Sequence, residues 1–134
     1  DRNGTLEQIR EILAALDEDL VCAYLFGSTA RGAVRSNSDL DLAVLLAEDP
    51  PPTLEGLNIQ LADALAEATG RPVDLIVLNR APVDLIHRVL RDGLLLLDRN
   101  RAARIRFEVK ARNDYFDLLP YLKQYRNPQR GRAA

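Results

Sequence analysis

Several things are scarce in this 134-residue sequence. It has no methionine and no tryptophan, and it has one cysteine, one histidine and only 5% aromatic residues. A single cysteine, Cys22, closes no internal disulfide, so the chain has no need of an oxidising compartment, and a cytoplasmic location is expected. A lone histidine, His87, with no cysteine or carboxylate at metal-ligand spacing, reads as a structural or solvated residue. No Ser/His/Asp or Cys/His arrangement is visible. No apolar run approaches the roughly 18 residues of a membrane span, and no signal-peptide pattern opens the chain. The absence of methionine leads us to expect that the sequence starts after the natural initiation residue.

The composition is that of an ordinary globular domain, 47% hydrophobic and 28% charged. At this length one domain is expected. The net charge of −2 conceals an asymmetry: residues 1–98 carry 8 Lys/Arg against 17 Asp/Glu, a balance of −9, and residues 99–134 carry 10 against 3, a balance of +7. We therefore divide the chain into a body, 1–98, and a basic helical extension, 99–134, which either completes the same domain or docks a partner.

Apolar residues Leu6, Ile9, Ile12, Leu13 and Leu16 fall at helical spacing, and Thr5-Leu6-Glu7-Gln8 reads as a capping box with Thr5 as N-cap. A strand is expected over 20–26, ending at Gly27, and a second over 39–46, after a loop too long for a tight hairpin. Asp49-Pro50-Pro51-Pro52 breaks the chain. A helix follows from about Leu54 to Thr69, stopped by Gly70, then a strand over 73–78 and a short helix from Pro82 to Arg91 ended by Gly93. A brief strand over 94–97 and a long basic helix from Asn100 to about Arg126, bent at Pro120, complete the pattern. Helices alternating with strands argue an α/β (α+β) fold, a small mixed sheet flanked by helices.

The richest segment is Leu25-Phe26-Gly27-Ser28-Thr29-Ala30-Arg31-Gly32, followed by Ser38-Asp39-Leu40-Asp41-Leu42. Side chains alternate along a strand, so Asp39 and Asp41 share a face about 6.6 Å apart, while Leu40, Leu42 and Val44 enter a core. Asp74 opens a third strand, where burial of an unpaired carboxylate would cost several kcal/mol and a metal would remove that cost. Carboxylates on one face beside a Gly-Ser turn are the parts that hold a metal–nucleoside triphosphate.

The wording GSxxRG…SDxDLAV, residues 27–44, resembles the signature of the nucleotidyltransferase superfamily, the polymerase-beta-like fold. More narrowly, it resembles the minimal nucleotidyltransferases, including MntA-type antitoxins encoded beside HEPN-domain toxins. The resemblance implies that Gly27 and Ser28 accept the triphosphate and that Asp39 and Asp41 ligate metal. It also implies that Asp74 is the third carboxylate of the metal site and helps to activate the attacking hydroxyl. Arg31 is a candidate phosphate contact, with a surface-turn role equally open. Two Mg²⁺ ions and ATP as co-substrate follow, with AMP transferred to a tyrosine hydroxyl of a cognate HEPN toxin. An enzyme acting on a small molecule or on RNA, and an antitoxin that works by contact alone, are the alternatives. Tyr115, Tyr121 and Tyr125, interleaved with Lys110, Arg112, Lys123 and Arg126, suit RNA contact or, more commonly, helix packing on the body or a partner.

Overall fold

Leu20–Phe26 and Leu40–Leu46 contain almost nothing but apolar residues, and such runs form strands when both faces of the sheet are covered. In the computed structural model, which describes residues 2–16, 19–27, 39–50 and 59–126, these runs are β1 (Leu20–Phe26) and β2 (Leu40–Leu46). They are the two central strands of a four-stranded sheet ordered β3-β2-β1-β4, with β3 spanning Val73–Val77 and β4 spanning Leu94–Asp98. β1 runs antiparallel to β2 and to β4, and β2 runs parallel to β3, so the sheet is mixed as expected. The parallel step is made by the crossover helix α2 (Ile59–Thr69), which ends where Gly70 adopts φ +70 and donates its N–H to Ala66 O at 2.9 Å. The expected start of that helix near Leu54 lies outside the described residues.

One face of the sheet packs on α1 (Arg2–Leu16) and α2. Leu6, Ile9 and Leu13 of α1 meet Leu61 and Leu65 of α2 over Ala23, Leu25, Leu40, Leu42, Val44 and Leu46. The other face packs on α3 (Val83–Asp92) and α4 (Arg101–Arg126), where Ile86, Val89 and Ala111 cover Cys22, Tyr24, Ala43 and Leu45. The β1–β2 register shifts between Leu20 and Cys22, and there Val21 and Cys22, neighbours in sequence, both join the second cluster. Polar side chains fasten the edges. Arg10 Nε donates to Leu96 O at 2.7 Å, and Gln8 Nε2 donates to Ala68 O at 2.8 Å. Asn79, in the 3₁₀ turn Leu78–Arg80, continues the β2 ladder by receiving Leu46 N–H and donating to Leu46 O, both at 2.9 Å.

Two local expectations are corrected. The first helix begins at Arg2, so Thr5 sits inside it and is not its N-cap, and Gln8 reaches across to α2 instead of back to a cap. The apolar stripe that packs on the sheet needs helix around Leu6, and that packing outweighs the local capping signal. The last strand extends one residue further than expected, to Asp98, whose carboxylate receives Arg104 Nε of α4 at 2.8 Å. Arg104 also pairs with Glu108 one turn on, and Ala103 and Phe107 pack into the second cluster, so the first half of α4 rests on the body. Pro120 is accommodated within the helix, beyond that packed half. Further along, Phe116 and Tyr121 are exposed.

Cys22 is fully buried, as its apolar neighbours suggested. Burial pushes its thiol up to about 11, against a smaller opposing effect from the Tyr24 hydroxyl. The native thiol is expected to stay silent towards a thiol-exchange reagent at pH 8 and to react at once, one equivalent per chain, in denaturant. Rapid native labelling, read by the released chromophore, would show that this face of the sheet opens.

Candidate active site

β1 stops because Gly27 turns the chain out of the sheet with φ +75, a left-handed conformation that suits glycine. Space demands glycine there as well. A Cβ on residue 27 would collide with Asp41 Oδ2 and stand 3.1 Å from Asp41 Cγ. The backbone of the turn therefore lies directly against the Asp41 carboxylate.

Register assembles the rest. Phe26 is the partner of Asp41 across the antiparallel β1–β2 pair, and Asp74 is the partner of Asp41 across the parallel β2–β3 pair. Directly paired residues share a face, with Cβ atoms about 5 Å apart. Asp39 stands one residue before β2, two positions from Asp41, and so projects to the same side. Ala43 and Leu45, next along that face of β2, lie under α3 and α4. The carboxylates thus occupy the end of this face that the helices leave uncovered.

Asp39 and Asp74 are exposed and Asp41 is half-buried. Asp74 is therefore not the buried charge that its apolar strand suggested. β3 is an edge strand, and α2, the helix that precedes it, covers the opposite face. Burial, then the Asp74 carboxylate, then that of Asp39 hold the Asp41 carboxyl above the usual carboxylate range. Neither Asp41 nor Asp74 has an ion-pair partner among the described residues. The donor set consists of oxygen atoms that repel one another, which suits a hard divalent cation. Among the described residues no three such groups close around a single point.

Ser28, Thr29, Arg31, Arg35 and Ser38 lie outside the described residues. His87 belongs to another part of the surface, stacked on Tyr115 with ring centroids 3.5 Å apart and planes 3° from parallel. Tyr115 thus packs on the body, while Tyr121 is exposed and the Tyr125 side chain lies outside the described residues. Phe26 was not singled out from the sequence, although it fixes the register of Asp41. Its pairing with Asp41 is a tertiary fact of the β1–β2 register that no local sequence pattern announces.

Residues 7–102 match the family described as polymerase beta, nucleotidyltransferase. The protein adenylyltransferase MntA of Shewanella oneidensis is 41% identical over 71 residues, which make up 52% of this chain and 48% of the relative. The chain thus matches this curated relative over about half of that protein's length. A solved toxin–antitoxin structure with AMP-PNP contains a chain 30% identical to this one, with a TM-score of 0.73, covering 92% of this chain and 93% of its own. A second structure, of the tri-AMPylated Shewanella oneidensis HEPN toxin in complex with MNT antitoxin, matches with a TM-score of 0.71 at 26% identity, over 96% and 94% of the two chains. Together with the mixed sheet and the aspartates aligned at its end, the match over residues 7–102 shows that this chain belongs to the polymerase beta nucleotidyltransferase family.

Proposed function

We propose that this chain is a protein adenylyltransferase that transfers AMP from Mg²⁺-bound ATP to a tyrosine hydroxyl of a cognate HEPN toxin and so neutralises it. The observation that carries this is the alignment of Asp39, Asp41 and Asp74 on one uncovered end of the sheet, with the Gly27 backbone against Asp41. The relatives supply the acceptor class, since one is a protein adenylyltransferase and another was solved with an AMPylated HEPN toxin.

In this reading Gly27 lets the backbone approach the triphosphate, Ser28 offers an N–H and a hydroxyl, and Arg31 contacts a phosphate oxygen. Asp39 and Asp41 hold Mg²⁺, with Asp74 beside them. Two Mg²⁺ ions held there would polarise the attacking oxygen and neutralise the leaving pyrophosphate. Asp74, exposed and paired in register with Asp41, takes the proton of the acceptor hydroxyl. The acceptor oxygen then bonds to the α-phosphorus as the α–β phosphoanhydride bond breaks, and pyrophosphate departs. Incubation with the partner, labelled ATP and Mg²⁺ should add AMP mass to the partner. Asp41→Asn should reduce the rate by on the order of a hundredfold or more while leaving partner binding intact, because the loss falls on charge that develops in the transition state. A partner that stays unmodified yet remains neutralised would favour neutralisation by contact alone.

The same carboxylate makes a stability prediction. Asp41 has a folded-state pKa raised above its unfolded value, so in the metal-free protein it favours the fold below the ordinary carboxylate range. That contribution is lost as pH rises through the folded value. At neutral pH, metal-free Asp41→Asn should melt no lower than the parent, and the parent should gain ground relative to it as pH falls towards 4. Mg²⁺ with ATP should raise the melting temperature of the parent more than that of the variant. Marked destabilisation of the metal-free variant at pH 7 would assign Asp41 a structural role.

The exposed stripe of α4, on the side turned away from the body, is the proposed docking element. Ile105, Val109 and Phe116 are exposed and fall on one stripe of the helix, bordered by Arg112 in a segment that is strongly basic overall. Phe116→Asp should weaken capture of the partner at least tenfold in a pull-down titration and leave ATP binding unchanged. Unaltered capture would remove α4 from the interface.

A further inference from the structure

Where α3 packs against α4, a partly open cleft of about 110 Å³ is lined by His87, Leu90, Arg91, Ala111 and Arg112. It shares no residue with the aspartate site. Leu90 and Ala111 give it an apolar base, and every polar side chain lining it carries N–H donors. Among the described residues no carboxylate lines it.

Two of the three donors are held in place. The His87 ring lies flat on Tyr115, which blocks its rotation. Arg91 is fixed through Nε and one terminal nitrogen by a two-point bond to Asp92, at 2.9 and 2.8 Å, which leaves its other terminal nitrogen unused. Arg112 has no carboxylate partner among the described residues. Among the described residues, Asp92 is thus the one carboxylate bonded to any of the three. Arg112 brings a positive charge to the cleft that an anion would complement, while Arg91, already paired with Asp92, adds N–H donors more than net charge. Guanidinium forks match the oxygens of a phosphoryl group in number and plane. At about 110 Å³ the cleft is on the scale of a small anion and too small for a folded peptide element.

We propose that the α3–α4 cleft is a second, metal-independent site for a phosphoryl anion, taken either as free phosphate or as the phosphate of a mononucleotide. Arg112 supplies its main charge, and His87 and Arg91 supply fixed donors. The site is independent of the reaction proposed above and stands whether or not that reaction occurs.

The test is a calorimetric titration of inorganic phosphate, and separately of AMP, into the full chain in chelator. The parent should bind one equivalent with saturation. Arg112→Gln, which keeps the aliphatic stem, should bind at least tenfold more weakly with an unchanged thermal melt, and Arg112→Lys should recover part of the loss. Asp41→Asn should bind as the parent does. Equal affinity for the two probes assigns the site to the free anion, and tenfold tighter AMP, still lost in Arg112→Gln, assigns it to a nucleotide phosphate. Absence of saturable binding by either probe, parent-like binding by Arg112→Gln, or loss of binding in Asp41→Asn would overturn the proposal.

Discussion

The alignment of β2 between β1 and β3 is the constraint on which the site depends. Asp41 faces Phe26 on one side and Asp74 on the other, and both pairings are set by which residues of β2 are apolar on which face. Leu40, Leu42, Val44 and Leu46 must meet α1 and α2, so Asp41 must take the opposite side. A slip of one residue would exchange the faces, driving Asp41 into the α1–α2 core and Leu40 into the aspartate site. The core therefore enforces the position of the carboxylate, and a single pattern of residues serves packing and chemistry together.

The balance of forces at the site runs against stability and is tolerated because it is small and local. Asp41 is the half-buried one of the three aspartates, and burial is the largest cause holding its carboxyl above the usual range, followed by Asp74 and then Asp39. Asp39 and Asp74 remain in water, where screening weakens their repulsion. Gly27 lets the chain pass closely over Asp41, where any larger residue would displace the carboxylate. Gly93 shows the same economy at the other end of α3. It has an ordinary φ of −79, but a side chain there would strike Val89 O and approach Leu25 O to 3.3 Å. Both glycines are demanded by neighbours, and only Gly27 also by its own dihedral.

Much of this was legible in the sequence because it was written in period and punctuation. The strands expected at 20–26 and 39–46 follow from apolar runs closed by turn residues, the stop at Gly70 from turn chemistry, and the shared face of Asp39 and Asp41 from alternation; the second strand begins one residue later than expected, at Leu40. What sequence could not carry was anything decided by tertiary contact. The Thr5-to-Gln8 capping pattern was real as a local preference, yet helix begins at Arg2 because the apolar stripe needs it. The surroundings of Asp74 depend on β3 being an edge, which no local pattern reveals. His87 and Tyr115 lie 28 positions apart, and their stacking follows only from the way α3 meets α4.

The pairing of β1 with β4 also bears on how the chain is made. Leu25 is bonded to Leu94, about seventy residues later, and Cys22 to Asp98. At translation rates of about 5–20 residues per second, roughly 4–14 s separate the appearance of β1 from that of the strand that closes its second edge. During that interval the segment Leu-Val-Cys-Ala-Tyr-Leu-Phe has β2 on one side and an open, apolar edge on the other, the kind of edge that recruits stray strands. That edge closes only once β4 has left the ribosome, so slow decoding between residues 46 and 94 would lengthen its exposure.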